Sequence, residues 1–175
     1  MTDNELVTSC LQGRLDSYRE LMARYGRYAM SVAWNVLLNR EDAEDACQEA
    51  FLKAFRNLGS FDSRRSFKNW FYALLTNLCL DGIRRKKRSR ELMVRYAQEA
   101  PAEMHMSSDP SLVPAAFQFG WLRPLTPKER LALYLWSQEG YSGSEIAAVL
   151  SCSQNTAHVH LFRARQKLKA AMKEA

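Results

Sequence analysis

Apolar residues recur every three or four positions through Leu15, Tyr18, Leu21, Met22, Tyr25, Ala29, Val32, Ala33, Val36 and Leu37. That spacing lines one helix face, so it predicts a helix over about 14 to 38 that Gly26 interrupts only weakly. Asn39 then stands where it can cap a second helix, and Glu41, Asp42, Glu44 and Asp45 crowd the first turns, where carboxylates favour the positive helix end. Its apolar face reads Ala43, Ala46, Cys47, Ala50, Phe51, Ala54, Phe55 and Leu58; the opposite face is Glu41, Asp45, Gln48 and Glu49. Gly59, Ser60, Asp62 and Ser63 break the pattern around Phe61, and Ser66 can cap a third helix from Phe67 to about Arg88. Its core stripe is Phe67, Trp70, Phe71, Leu74, Leu75 and Leu78. Three such helices with short turns make a compact bundle.

From about Ser89 to Arg123 the periodicity fades, with Pro101, Pro110, Pro114 and Pro124 and the polar run Ser107, Ser108 and Asp109. This reads as a linker, in which Phe117, Phe119, Trp121 and Leu122 either dock on a partner or strap the chain's own surface. Thr126, Pro127 and Glu129 then form a capping-box start. Leu131, Leu133, Tyr134, Leu135 and Trp136 supply apolar positions until Gly140. A short helix over about Gly143 to Leu150, a turn at Ser151, Cys152 and Ser153, and a helix from Gln154 to about Met172 complete a helix-turn-helix pattern, with Ala147 small where the two helices approach. The predicted fold is therefore all-α: a small bundle over 1–90, a linker over 91–122 and a helix-turn-helix domain over 123–175.

Composition narrows the function. The chain has 175 residues, room for two small domains, and no apolar run nears the roughly 20 residues of a membrane span. Its start lacks the basic and apolar segments of a secretory signal, so the expected location is the cytoplasm. Cys10, Cys47, Cys79 and Cys152 form no close pair and are expected as buried thiols. His105, His158 and His160 do not converge at helical spacing, so neither metal nor cofactor is expected. No nucleophile–base pair, carboxylate dyad or phosphate-cradling glycine loop appears, which argues against an enzyme.

The net charge of +6 admits an anionic partner, and its distribution is uneven. Residues 1–90 hold 16 basic and 11 acidic side chains, against 9 and 8 over 91–175. One cluster is Arg84, Arg85, Lys86, Lys87, Arg88 and Arg90; the other is Arg163, Arg165, Lys167, Lys169 and Lys173. Each ends an amphipathic helix, a placement that suits phosphate contacts. Successive helix positions lie about 100° apart, so Trp70, Phe71 and Tyr72 cannot share one core. Tyr72 is expected near the surface beside Lys68, Asn69, Thr76 and Asn77, where an aromatic can stack on unpaired bases.

These segments together resemble a known family. DAEDACQEAFLKAFRNL from Asp42, followed by SFDSRRSFKNWFYALLTNLCLDGIRRKKR, is similar to the polymerase-binding and −10-recognising part of extracytoplasmic-function sigma factors. LTPKERLALYLWSQEGYSGSEIAAVLSCSQNTAHVHLFRARQKL resembles their −35-recognising domain. The resemblance implies core RNA polymerase and promoter DNA as partners, with the β′ clamp meeting Asp45, Gln48 and Glu49 and the β flap meeting the second domain. It implies that Phe61, Ser63 and Arg64 lie on a loop that captures a flipped −10 base, that Asn77 lines its pocket, that Lys68, Trp70 and Tyr72 border the opened strand, and that Arg84, Arg85 and Lys87 hold phosphates. For the −35 element it implies Gln154, Asn155, Thr156, His158, Val159, His160, Phe162, Arg163, Arg165 and Lys167 along the second helix of the motif. It also implies a monomer when free, and an anti-sigma protein as a further partner. The chain departs from the family at Asn155, Ala157 and His158, where glycine, valine and a basic residue are common, at His160, again a basic position, and at Ser151, where glycine is common and the turn must accept a side chain. A dimeric operator-binding regulator and a module that sequesters a transcription partner are the competing readings. Footprinting of duplex without polymerase would favour the regulator.

Overall fold

A computed structural model describes residues 1–99, 122 and 124–172 of the chain, and among these it is entirely helical. The elements are α1 (Asp3–Leu11), α2 (Leu15–Leu37), α3 (Arg40–Arg56), a 3-10 turn at Leu58–Ser60, α4 (Phe67–Glu99), α5 (Pro127–Ser137), α6 (Gly143–Val149) and α7 (Gln154–Ala171). The linker aromatics Phe117, Phe119 and Trp121, together with His105, lie outside the described residues.

The bundle is α1 to α4. Its centre is aromatic: Phe51 stacks on Phe71 at 4.5 Å, and Tyr25 lies 5.6 Å from Phe67. Phe67, Phe71, Leu75 and Leu78 are buried as the stripe predicts, while Trp70 and Leu74 are half-buried at its edge. Tyr18 donates its hydroxyl to the Phe51 carbonyl at 2.5 Å, tying α2 to α3. Asn39 caps α3 through the Asp42 amide at 2.8 Å, and Ser66 caps α4 through the Asn69 amide at 3.3 Å.

Two features depart from the sequence expectation. Helix α1 has no counterpart among the predicted elements, although Thr2 and Glu5 make a full capping box and Leu6, Val7 and Cys10 are buried against α2. Helix α4 continues to Glu99 rather than ending near Arg88. The amphipathic stripe fades there because Leu92, Met93 and Val94 are all about half exposed, and residues 89–95 bury no face. Residues 89–99 contain neither proline nor glycine, and the helix persists on its own propensity.

In the second unit the Thr126 and Ser142 capping boxes start α5 and α6, and Ser153 caps α7. The turn between α6 and α7 places Ser151 at φ 50, the left-handed conformation that a glycine would adopt more easily. Ala147 is buried at the α6–α7 approach, and Leu122 and Leu125 pack with Ala164 under α7. Of the thiols, Cys10 and Cys79 are buried as expected, whereas Cys47 and Cys152 are only half-buried. Burial pushes the Cys79 thiol up to about 12 and Cys47 up to about 11, so both stay protonated.

The units are not separate. Helix α5 packs on α2 and α6 packs on α4, and one continuous apolar core runs from Leu6 to Ala157. Among the described residues no helix is long and apolar enough to cross a membrane, and no group of three His, Cys, Asp or Glu side chains is placed to hold a metal.

Candidate nucleic-acid interface

The first candidate surface is the loop between α3 and α4. Phe61 is half-buried, its ring 5.5 Å from Phe67 and 5.2 Å from Trp70. Asp62 receives Arg64 twice, at 3.0 and 3.1 Å, and the guanidinium holds its carboxyl below the usual range. Asn4 donates to the Ser63 carbonyl at 2.8 Å, so α1 pins the loop from behind. Ser63 and Arg64 themselves stay exposed. The result is an anchored loop beside an aromatic wall, with donors on its outer side.

Lys68 is half-buried and Asn77 is exposed, but Tyr72 lies elsewhere than expected. Tyr72 is fully buried rather than near the surface. The second unit packs on this helix, α6 lying against α4, and burial drives the pKa of the Tyr72 hydroxyl strongly upward, with the charge of Glu139 adding to it. Lys68 pairs with Glu139 at 2.7 Å, and Asn77 donates weakly to the Ser151 hydroxyl at 3.4 Å. The covering residues come more than sixty positions later, so helix periodicity alone does not reveal them.

A second surface is the groove between α3 and α4, about 1350 Å³ in volume. Asp45 and Glu49 line one wall, and Arg85, Lys87 and Arg90 the other. Lys86 bridges the walls by binding Asp42 at 2.5 and 2.6 Å. Asp45, Gln48 and Glu49 are exposed together on the outer turn of α3, so the acidic face read from the sequence is a contiguous surface. Arg84 is exposed but paired with Asp81 at 2.8 Å.

On α7 the outward residues are Gln154, Asn155, Thr156, His158, Val159, Phe162, Arg163 and Arg165, with Phe162 62% exposed. His160 and Lys167 are not fully among them. Lys167 binds the buried Glu129 carboxylate at 2.7 Å, a contact that anchors α7 to α5. His160 is half-buried, and its Nδ1 has no hydrogen-bond partner. Burial, with help from Lys128, pushes its pKa below 6.5. The unfolded chain therefore takes up a proton near pH 6.5 that the fold resists, so stability is full above that pH and falls as pH drops through it. Thermal unfolding is expected to show a lower midpoint at a pH about one unit below that value than at a pH about one unit above it, and His160→Gln should shrink that difference.

Two residues escape the sequence reading. The Arg165 guanidinium lies 3.9 Å from the centre of the Trp136 ring, which fixes a side chain that would otherwise be free. Gly143 lies under the His158 ring, and a Cβ there would overlap the imidazole. Neither pairing follows a helical repeat, so no periodic signal announces it.

Known proteins share this arrangement. Residues 21–89 match the family described as Sigma-70 region 2, and residues 122–168 match Sigma-70, region 4. The ECF RNA polymerase sigma factor SigE of Mycolicibacterium smegmatis is 30% identical over 164 residues, covering 90% of this chain and 62% of the relative. The ECF RNA polymerase sigma factor SigW of Bacillus subtilis is 38% identical over 76 residues, 43% of this chain and 41% of that protein. This chain thus spans less than two thirds of either relative, whereas the ECF RNA polymerase sigma-E factor of Escherichia coli, 27% identical, is covered to 93% along 96% of this chain. Among solved structures, CnrH in complex with the cytosolic domain of CnrY superposes with a TM-score of 0.70 at 25% identity, covering 98% of this chain and 97% of that one. The sigma factor RpoE bound to the anti-sigma factor NepR, from Bartonella quintana, shares the fold with a TM-score of 0.66 at 23% identity, over 89% and 96% of the two chains. The class is that of sigma-70 proteins built from regions 2 and 4. Within it, the chain belongs to the extracytoplasmic-function RNA polymerase sigma factors.

Proposed function

We propose that this protein binds core RNA polymerase and directs it to promoters that carry a −10 and a −35 element. The observation that carries the reading is the coexistence, in one chain, of an exposed acidic and amide face at Asp45, Gln48 and Glu49 with a Ser153-capped helix exposing Asn155, Val159, Phe162 and Arg163. The first suits a basic surface of polymerase; the second has the dimensions for the major groove. An operator-binding regulator would need only the second.

In this reading residues 1–90 dock on the β′ clamp, residues 123–175 read duplex at −35 near the β flap, and 91–122 connect them. The loop at Phe61, Ser63 and Arg64 takes a base that has left the stack, Asn77 lines its pocket, and Lys68, Trp70 and Tyr72 border the separated strand. Arg84, Arg85 and Lys87 meet phosphates. The protein acts in the cytoplasm as a monomer when free, without cofactor, and polymerase performs the chemistry. CnrH was solved in complex with the cytosolic domain of CnrY, which supports a protein partner here, and we take that partner to be of the anti-sigma kind.

The test is in vitro transcription on a pool of promoter fragments with core polymerase, with and without the protein. Start sites that depend on both components are the expected result; no transcript and no core binding from a folded protein would refute the assignment. On a promoter found in this way, Trp136→Ala is expected to weaken −35-dependent binding roughly two- to five-fold, the loss of about 0.5–1 kcal/mol from the cation–π contact that holds Arg165. Equal losses on a fragment lacking the −35 element would show that Trp136 acts on stability instead.

A further inference from the structure

Helix α1 touches the α3–α4 loop at two points. In its first turn Asn4 donates Nδ2 to the Ser63 carbonyl at 2.8 Å. In its last turn the Leu11 side chain lies over Gly59, 4.0 Å from where a Cβ would stand. About 10 Å of helix axis separates the two points, so α1 runs beside the loop as a splint. The loop's own hydrogen bonds are local. The Phe61 amide donates to the Leu58 carbonyl at 3.1 Å, the Arg65 amide to the Asp62 carbonyl at 2.9 Å, and Arg64 to the Asp62 carboxylate. Among the described residues, Asn4 makes the one hydrogen bond that reaches residues 59–65 from a helix.

That bond falls on a critical peptide. The plane that carries the Ser63 carbonyl also carries the Arg64 amide, and the amide donates to Asp62 Oδ1 at 3.1 Å. Asn4 and Asp62 thus hold the two edges of one peptide, which sets how the exposed Ser63 and Arg64 side chains project. The splint is itself firmly seated. Leu6, Val7 and Cys10 are buried, with α1 packed on α2. The Asp3 carboxylate accepts the Tyr25 hydroxyl and, at 2.6 Å, the Arg24 guanidinium, which also reaches the Met1 carbonyl at 3.0 Å. Ser17 donates to Ser9 at 2.7 Å towards the other end. With both ends of α1 fixed to α2, Asn4 relays the position of the bundle to the loop.

We propose that Asn4 is a positioning residue for base capture: it holds the Ser63–Arg64 peptide in the orientation from which the loop takes an unstacked base. Without it the loop samples other orientations, and the competent one must be selected at the moment of capture, which lowers the apparent affinity by the fraction of time it is absent. The positional part stands on α1 and the loop alone, whereas its meaning for promoter opening rests on the proposed function.

The test uses the full-length protein with Asn4→Ala and Asn4→Asp. Alanine deletes the donor; aspartate keeps the shape but sets an acceptor against a carbonyl. Alanine favours a helix and aspartate suits its first turn, so both variants are expected to keep a thermal midpoint within a few degrees of the wild type. Trypsin cutting after Arg64 and Arg65, followed by mass spectrometry relative to cutting elsewhere in the chain, reports how often the loop opens. It is expected to run roughly two- to ten-fold faster in both variants, the factor that one net hydrogen bond confers. Equal relative rates in wild type and both variants overturn the positioning role, and so does faster cutting at all sites together, which would make Asn4 a general stabiliser. With core polymerase, on a promoter found as above, permanganate reactivity of unpaired thymines should show open complexes reduced by a similar factor at unchanged core affinity. Undiminished opening in both variants, with the wild type active, refutes the link to base capture. If the wild type itself gives no transcript with core, the sigma-factor assignment falls, and the trypsin rates alone decide whether α1 sets the loop.

Discussion

Reversing two carboxylates on the outer turn of α3, Asp45→Lys together with Glu49→Lys, is expected to abolish holoenzyme formation while leaving the fold in place. Both side chains are exposed and neither belongs to an ion pair among the described residues, so no internal contact is lost. They lie on the wall of the α3–α4 groove that faces Arg85 and Arg90, and new lysines there would add to an already basic surface. A partner surface chosen for acidic groups would then meet lysines instead. Like-charge juxtaposition at an interface costs several kcal/mol, enough to weaken affinity at least about a hundred-fold. Fluorescence anisotropy of the labelled protein titrated with core polymerase would measure it. Wild-type affinity in the double variant would remove α3 from the polymerase-binding surface.

The largest stability effect is expected at Phe71. Its ring is fully buried and lies 4.5 Å from Phe51, 6.2 Å from Phe67 and 6.5 Å from Tyr25 between centroids, so it joins α2, α3 and α4 at once. Phe71→Ala should destabilise by about 3–5 kcal/mol, a large share of the roughly 5–15 kcal/mol typical of a folded protein. For a chain of this length that corresponds to a fall of roughly 6–20 °C in the thermal midpoint. Phe55→Ala is the internal control, because Phe55 is 41% exposed and leans on the Tyr18 edge from outside. A Phe71 variant no less stable than the Phe55 variant would mean that the aromatic centre of the bundle is wrongly placed.

How far the fold can be read in advance depends on what each element leans on. Helices α2, α3, α5 and α7 carry long stripes or strong caps, and local spacing defines them. Helix α1 has only nine residues, too few for a stripe to stand out, although its Thr2–Glu5 box is visible in principle. The far end of α4 is missed for the opposite reason: it is helical although residues 89–95 bury no face, and a pattern that signals burial says nothing about it. The site divides in the same way. Asp45, Gln48 and Glu49 share a face by helical geometry, and the outward set on α7 follows from Ala157 and Ala164 pointing inward. Tyr72, Lys167, Trp136 and Arg130 depend on partners in other elements. For Arg130 the acceptors lie 94 and 95 residues away, at the end of a different helix. No local rule connects such positions.

The packing of α6 on α4 has a counterpart in the chain that joins the units. Helix α4 ends at Glu99 and the second unit resumes at Leu122, so the covalent reach between them cannot exceed about 80 Å. Tethering at that range corresponds to a local concentration of up to the millimolar scale. The contact between the units is therefore insensitive to dilution: lowering the amount of protein in a cell or a tube does not loosen it.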